Sequence, residues 1–306
     1  MSVGQFIYVF VLASYYSGFL KIGNLFIFSS DMKKLVVKII IFTILLFSLA
    51  QLLQSFIDRG LKNDRSGEYK EWNDIFHSKI NADVLFQGSS RSMDHFSPRV
   101  FDSAFKMNSY NLGLSGYGFD LQYYRFLIYL QHNKAPKYII QNIDPETFNM
   151  RTTLLEYTQF LPYLNDSTMR NAVKEYKGLS WADYNIPLYK YRSSYDVAFK
   201  GLKDNIIRPL TTNGKYKGFL PHTTPWDTSY RNFKLRHPDG YRIEVENRTI
   251  KLIGKFLDIC KEKNISVIFV YTPEYREEQK ILINRDSIMN IITNFATLYH
   301  LPFLDY

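Results

Sequence analysis

The run Val84-Leu85-Phe86-Gln87-Gly88-Ser89-Ser90-Arg91 joins a short apolar segment to two small hydroxyl residues through a glycine. In an open α/β sheet, the turn after the first strand is where a nucleophile can be presented at the start of a helix. Gly88 allows the sharp bend, and Ser90 would then project into the crevice near free backbone N–H groups. Donors of that kind stabilise the oxyanion of a tetrahedral intermediate, so the chemistry that suits this spacing is acyl transfer through a serine. A plain Gly-Ser turn with a serine capping the next helix uses the same residues, and the turn alone does not separate the two readings. Arg91 is placed either to hold an anionic substrate group or to form a local salt bridge.

These residues need strands and helices to hold them. Asp83-Val84-Leu85-Phe86 reads as a buried strand leading into the Gly88 turn. Ser109-Tyr110-Asn111-Leu112 is a second strand, ended by Gly113 and Gly116, and Lys137-Tyr138-Ile139-Ile140-Gln141 a third, left through Asp144-Pro145. Leu121, Tyr124, Leu127, Ile128 and Leu130 form a helical stripe over residues 119–132. From about 150 to 245 this rhythm is lost among tyrosines, prolines and loop signals. A segment that long predicts an inserted cap of helices and loops rather than a linker. Its aromatics suit a carbohydrate or acyl groove, or packing among themselves. Regularity returns with a helix around 246–263, a strong buried strand over 265–271, a helix around 285–299 and a strand-like Pro302-Phe303-Leu304-Asp305. The alternation predicts a three-layer α/β domain over residues 81–306, a mostly parallel sheet flanked by helices, with ligands at the carboxyl ends of the strands.

The Gly88-Ser89-Ser90 turn, followed one strand later by Asn111-x-Gly113-x-x-Gly116, resembles blocks I and II of the SGNH (GDSL-type) hydrolase superfamily. The Gly-Ser-Ser-Arg form and the later Val270-Tyr271-Thr272-Pro273-Glu274 stretch are similar to a bacterial membrane-anchored envelope branch, related to D-alanyl-lipoteichoic-acid transfer proteins. The resemblance covers about residues 68–306, with its motifs concentrated in 84–148. It implies a flavodoxin-like sheet, Ser90 as nucleophile, the Gly116 N–H as an oxyanion donor and Asn111 as a turn-shaping residue. The family's third block, Gly-x-Asn-Asp, corresponds to Gln141-Asn142-Ile143-Asp144-Pro145; either Asn142 or Asp144 takes the third-donor place, or both shape the turn. The family's Asp-x-x-His pair follows the last strand, and no such pair occurs after residue 246.

A serine without a base is a weak nucleophile. Either the base is encoded beyond Tyr306 in a longer natural chain, or this chain is complete and inactive, or it recruits another histidine. His300 precedes the last strand and has a packed helix end as its simpler reading, and His95, just after Ser90, a surface one. His222 and His237 fall in the cap, from which either reaches the crevice only by folding over it. Six scattered histidines without carboxylates at ligand spacing predict no metal site, and nothing calls for a cofactor. The lone Cys260 lies in the apolar stripe of a helix, which predicts a buried thiol and no intrachain disulfide.

Net charge is +9, but the basic residues are scattered, which argues for a solvated surface and against nucleic acid. With no Gly-x-Gly-x-x-Gly after the first strand and no P-loop, a cytoplasmic nucleotide-binding protein is the weaker reading. Met32-Lys33-Lys34 precedes residues 39–57, an uncharged and mostly apolar run closed by Asp58-Arg59. That length nearly spans a hydrocarbon core, and Lys33, Lys34 and Lys38 predict a cytoplasmic amino-terminal side. A signal peptide cleaved after Ser48-Leu49-Ala50 fits the same pattern. The preferred reading is an uncleaved anchor over 32–57, then a polar, mostly helical connector over 58–80 with Trp72, Ile75 and Phe76 as its apolar contacts. Residues 1–31 form an apolar extension ahead of a natural start at Met32, or a first membrane segment in a two-pass arrangement.

Together these readings predict a protein of the bacterial cytoplasmic membrane with its globular domain outside the cytoplasm. Its expected partners are the bilayer and an envelope glycan or acyl-ester substrate. The expected activity is a serine esterase or O-acyltransferase with Ser90, Gly116 and Asn142 in the reacting site and Arg91 and Asp144 contacting substrate. The alternative is a non-catalytic envelope protein that binds or organises polysaccharide-modifying machinery.

Overall fold

The computed structural model describes residues 30–149, 151–207, 214–222, 225 and 227–306. The apolar extension expected over residues 1–31 rests on residues 1–29, which lie outside the described residues. Contacts divide the chain into a unit of residues 1–52 and a unit of residues 53–306.

The described part of the first unit belongs to helix α1, Ser30–Leu61, 32 residues long. No proline or glycine interrupts it before Gly60, and at 1.5 Å per residue it extends about 48 Å. Its large apolar side chains, Leu35, Ile39, Phe42, Leu46 and Leu49 among them, are exposed. By length and composition this helix can cross a membrane.

The second unit starts within the last turns of α1. The helix runs past the end of the apolar stretch at Ile57 because Gln54, Ile57, Asp58, Gly60 and Leu61 are buried there. Asp58 accepts from Lys190 Nζ at 2.8 Å and from the Tyr191 hydroxyl. A charge that would ordinarily end a span is thus neutralised inside the domain.

The chain continues through α2 (Tyr69–Phe76), β1 (Val84–Gln87), α3 (Ser90–His95), α4 (Pro98–Phe105), β2 (Ser109–Asn111), α5 (Phe119–His132) and β3 (Tyr138–Asn142). Residues 150–245 hold short helices: α6 (Ser167–Val173), α7 (Trp181–Asn185), α8 (Tyr195–Ile206) and α9 (Ser229–Arg236). Then follow α10 (Asn247–Glu262), β4 (Ser266–Tyr271), α11 (Arg276–Ile281), α12 (Arg285–Leu298) and β5 (Phe303–Asp305). The expected α/β order is borne out, strand by strand.

All five strands are parallel, in the order β2-β1-β3-β4-β5. This is the doubly wound, flavodoxin-like order, in which the winding reverses between β1 and β3. The register aligns Phe86 with Asn111, Gln87 with Gln141, and Asn142 with Val270, so the strands end along one edge. β1 is buried at every residue, as a strand covered on both faces must be. Phe86 stacks on Phe96 and meets Phe101 edge-on, while Phe126 of α5 meets Phe256 of α10 edge-on at 5.0 Å. Phe86, Phe126 and Phe256, all fully buried, each stabilise the fold by about 1.5–3 kcal/mol.

The described aromatics of the 150–245 segment divide: Trp181, Tyr189, Tyr195, Phe199 and Tyr216 are exposed, and others pack inward. Phe160, Tyr163, Tyr176 and Tyr191 are buried, and Trp72 Nε1 donates to Gln159 Oε1 at 2.9 Å.

Candidate active site

The carboxyl edge of the sheet brings three turns together. The first is Gly88-Ser89-Ser90. Ser89 is the N-cap of α3, its hydroxyl accepting from the Arg91 N–H at 3.4 Å. Ser90 opens the helix half-buried, and among the described residues no partner takes its hydroxyl. Gly88 has φ +148°, and a Cβ there would lie 2.8 Å from Asn142 Cβ and 2.9 Å from Ser92 Cβ. Only glycine lets the turn after β1 close onto the end of β3.

The second turn follows β2. Asn111, fully buried, donates from Nδ2 to the Ser92 and Phe96 carbonyls at 2.7 and 2.8 Å. Its Oδ1 accepts from the Gly113 N–H at 2.8 Å. One side chain therefore stitches helix α3 to the 111–116 loop. Backbone bonds run alongside, from Leu112 N to Phe86 O at 2.7 Å and from Leu114 N to Gly88 O at 2.9 Å. Gly116 sits half-buried at φ +78°, and a Cβ there would lie 2.5 Å from Leu155 Cδ1. Buried Arg125, stacked over Trp72 at 4.8 Å, donates from Nη1 to Gly113 O at 3.1 Å. Arg125 reads in sequence as one polar position in an apolar stripe, and only the fold reveals it as a prop for this loop.

The third turn follows β3. Asn142 is buried; its Nδ2 donates to Val270 O at 3.3 Å, and its Oδ1 has no partner among the described residues. Asp144 caps the short turn Pro145–Phe148, accepting from Thr147 N at 3.1 Å, while its other oxygen lies 3.8 Å from Arg91 Nε. Burial, partly offset by Arg91, pushes the Asp144 carboxyl up to about 6. Arg91 also makes an ion pair with Glu274, which accepts from the Tyr271 hydroxyl as well. Burial disfavours the Arg91 cation, but Asp144 and Glu274 outweigh it and raise its pKa above the usual range. The space lined by Arg91, Asp144, Glu146, Tyr241, Glu274 and Glu278 is only about 20 Å³, room for little more than a water. A substrate group that reaches Arg91 or Asp144 has to displace Glu274. In the sequence Glu274 only closes the stretch over residues 270–274 and carries no site role, although its place just past β4 and Pro273 is where crevice residues occur.

The histidines are dispersed. His300 lies ahead of β5, lining a groove with Ser266 and Tyr138 at the amino ends of the strands, the edge away from Ser90. His237 packs against Phe233 and Tyr241. His95 closes α3 on the surface, its pKa lowered by burial and by Arg91. His222 Nε2 lies 3.2 Å from Asp94 Oδ1 on the far part of α3. None of them bonds Ser90 among the described residues. No group of three or more His, Cys, Asp or Glu able to hold a metal ion occurs among the described residues.

The fold and site define a doubly wound α/β protein with a serine turn at the winding reversal of its sheet. No protein-family profile matches the chain, and no curated protein matches it. Among solved structures it is similar to a Bacteroides fragilis protein described as a candidate acylhydrolase, at 14% identity and a TM-score of 0.30. The match covers 73% of this chain and 66% of that one, just under two thirds of its length. A likeness this loose assigns no activity, and the fold class rests on the sheet order itself.

Proposed function

We propose that this chain is a membrane-anchored serine esterase or O-acyltransferase of the SGNH kind, acting on an ester of cell-envelope glycan or lipid. The observation that carries the reading is the convergence of the Ser90 turn, the 111–116 loop and Asn142 at one edge of the sheet. Ser90 Oγ attacks the ester carbonyl, and the backbone N–H groups of Ser90 and Gly116, with the Asn142 amide, hold the oxyanion. As the C–O bond to the leaving alcohol breaks, a histidine base passes the Ser90 proton to that alcohol. The acyl group on Ser90 then goes to water or to an acceptor hydroxyl. No described histidine is assigned as that base. Residues 32–57 anchor the chain in a bacterial cytoplasmic membrane, and residues 81–306, including the cap of about 150–245, work outside the cytoplasm.

The test is p-nitrophenyl acetate hydrolysis by the full chain in neutral detergent. Ser90→Ala should abolish turnover, and unchanged turnover in that variant removes Ser90 from the role. One observation favours a second reading, a non-catalytic envelope protein: Ser90 has no histidine partner among the described residues, and the Arg91–Asp144–Glu274 cluster closes the crevice beside it. In that case the folded wild type hydrolyses no ester and takes no fluorophosphonate label.

A further inference from the structure

Beside the last turn of α1, away from the serine turn, lies a groove of about 890 Å³ lined by Lys62, Arg65, Asn73, His77 and Lys79, with Asp64, Asp74 and Asp204 among its other walls. A shallower depression sharing Lys62, Asn63 and His77 extends it to Arg59. The carboxylates along the groove are already engaged. Asp64 lies 2.6 Å and Asp204 2.8 Å from Lys200, Asp74 lies 2.8 Å from Lys70, and Asp58 is held by Lys190. Among the described residues, Arg59, Lys62, Arg65 and Lys79 have no carboxylate at ion-pair distance. The surplus charge is felt locally: burial, then Lys79 and Lys62, lower the pKa of His77.

The loop that carries Lys62 and Arg65 is built. Buried Asn73 donates to the Leu61 and Asp64 carbonyls at 3.0 and 2.8 Å, and the Tyr163 hydroxyl donates to Asn73 Oδ1 at 2.5 Å. Asp64 further accepts from the Ser66 N–H at 2.9 Å. Lys62 projects over the Tyr163 ring, its Nζ 5.7 Å from the centroid.

Position along α1 says what anion is at hand. Arg59 and Lys62 follow Phe56, the last exposed apolar residue of α1, by about 4.5 and 9 Å of helix rise. The headgroup layer on each side of a bilayer is about 6 Å deep. We propose that this groove binds the phosphate headgroup of an anionic membrane glycerophospholipid. Its volume suits a headgroup and glycerol, and fixed cations at that depth attract acidic lipids. The inference rests on α1 crossing the membrane and is independent of whether Ser90 reacts.

The test uses the full chain in neutral detergent at low ionic strength, following thermal unfolding while dihexanoyl phosphatidylglycerol, dihexanoyl phosphatidylcholine or inorganic phosphate is added. Phosphatidylglycerol should raise Tm saturably, and the other two should not at equal concentration. Each cation removed should weaken apparent binding roughly fivefold, so Arg59→Gln/Lys62→Gln/Arg65→Gln/Lys79→Gln should abolish the shift. Should that variant unfold early, the single changes Arg65→Gln and Lys79→Gln, both at exposed positions, give the same reading. Lys255→Gln/Lys261→Gln on α10 should keep the full response. An equal shift from phosphatidylcholine, an equal shift from inorganic phosphate, or a response unchanged in the groove variants overturns the proposal. Because the readout needs no bilayer, it separates failure of the groove from failure of α1 to span, which alkaline extraction of membranes reports.

Discussion

Asn111→Ala should weaken the protein far more than the loss of one small side chain suggests. The amide makes three hydrogen bonds, at 2.7, 2.8 and 2.8 Å, to Ser92 O, Phe96 O and Gly113 N, the first and last buried and the second part-buried. Ser92 O keeps a bond from Phe96 N at 3.2 Å, so the groups left without that partner are the Gly113 N–H and the Phe96 carbonyl. At about 1–3 kcal/mol for each group stranded, and with a small cavity added, the loss is about 3–5 kcal/mol. In a unit of this size, that lowers Tm by roughly 6–20 °C. Asn111→Asp keeps the acceptor but turns a carboxylate toward two carbonyl oxygens, and should cost at least as much. Urea denaturation of the full chain in neutral detergent, followed by near-ultraviolet circular dichroism, measures both. A loss below about 1 kcal/mol would falsify the reasoning; it would mean that the Leu112–Phe86 and Leu114–Gly88 backbone bonds alone hold the two turns. If the chain is an esterase, the same variant should lower kcat at nearly constant KM, since Ser90 and the 111–116 loop would lose their alignment.

Other tests read different parts of the molecule. Burial holds the Asp144 carboxyl at about 6, so the folded chain keeps a proton that the unfolded chain, with its value of 3.8, has lost. The stability Asp144 contributes is therefore full below the unfolded value and lost as pH rises to about 6; Asp144→Asn should remove that fall, and urea midpoints that track the wild type from pH 4 to 7 would refute it. Lys190→Met strands Asp58, the two side chains being 1% and 6% exposed, and should cost about 3–5 kcal/mol. Adding Asp58→Asn should restore most of that, and a double variant as unstable as the single would overturn the pairing. Cys260 is buried and its thiol is pushed well above the usual range; it should ignore Ellman's reagent in the folded chain and react on unfolding, a fast native reaction being the contrary result.

The sheet was legible because parallel strands buried on both faces read as continuous apolar runs between turn residues, as Val84-Leu85-Phe86 and Val267-Ile268-Phe269-Val270 do. Helix α10 showed itself by an apolar stripe running to Cys260, one buried face at helical spacing. Pairings between distant residues were not legible. Arg91 meets Glu274 across 183 positions, and no local pattern fixes which of many carboxylates will fold against it. Arg125 was hidden differently: its one partner in the loop is a backbone carbonyl, which leaves no trace in residue types. The split of residues 90–105 into α3 and α4 has a signal in Ser97-Pro98 at the start of the second helix.

The union of Asp58 with Lys190 carries a consequence for the order of assembly. The two residues are 132 positions apart, and at a synthesis rate of about 5–20 residues per second the lysine emerges roughly 7–26 s after the aspartate. During that interval the end of α1 holds an uncompensated carboxylate that favours water over lipid or protein. The last turn of α1 thus waits unburied until residue 190 arrives. Closing so long a loop late sets a slow step, and chains stalled before residue 190 should leave the end of α1 open to protease.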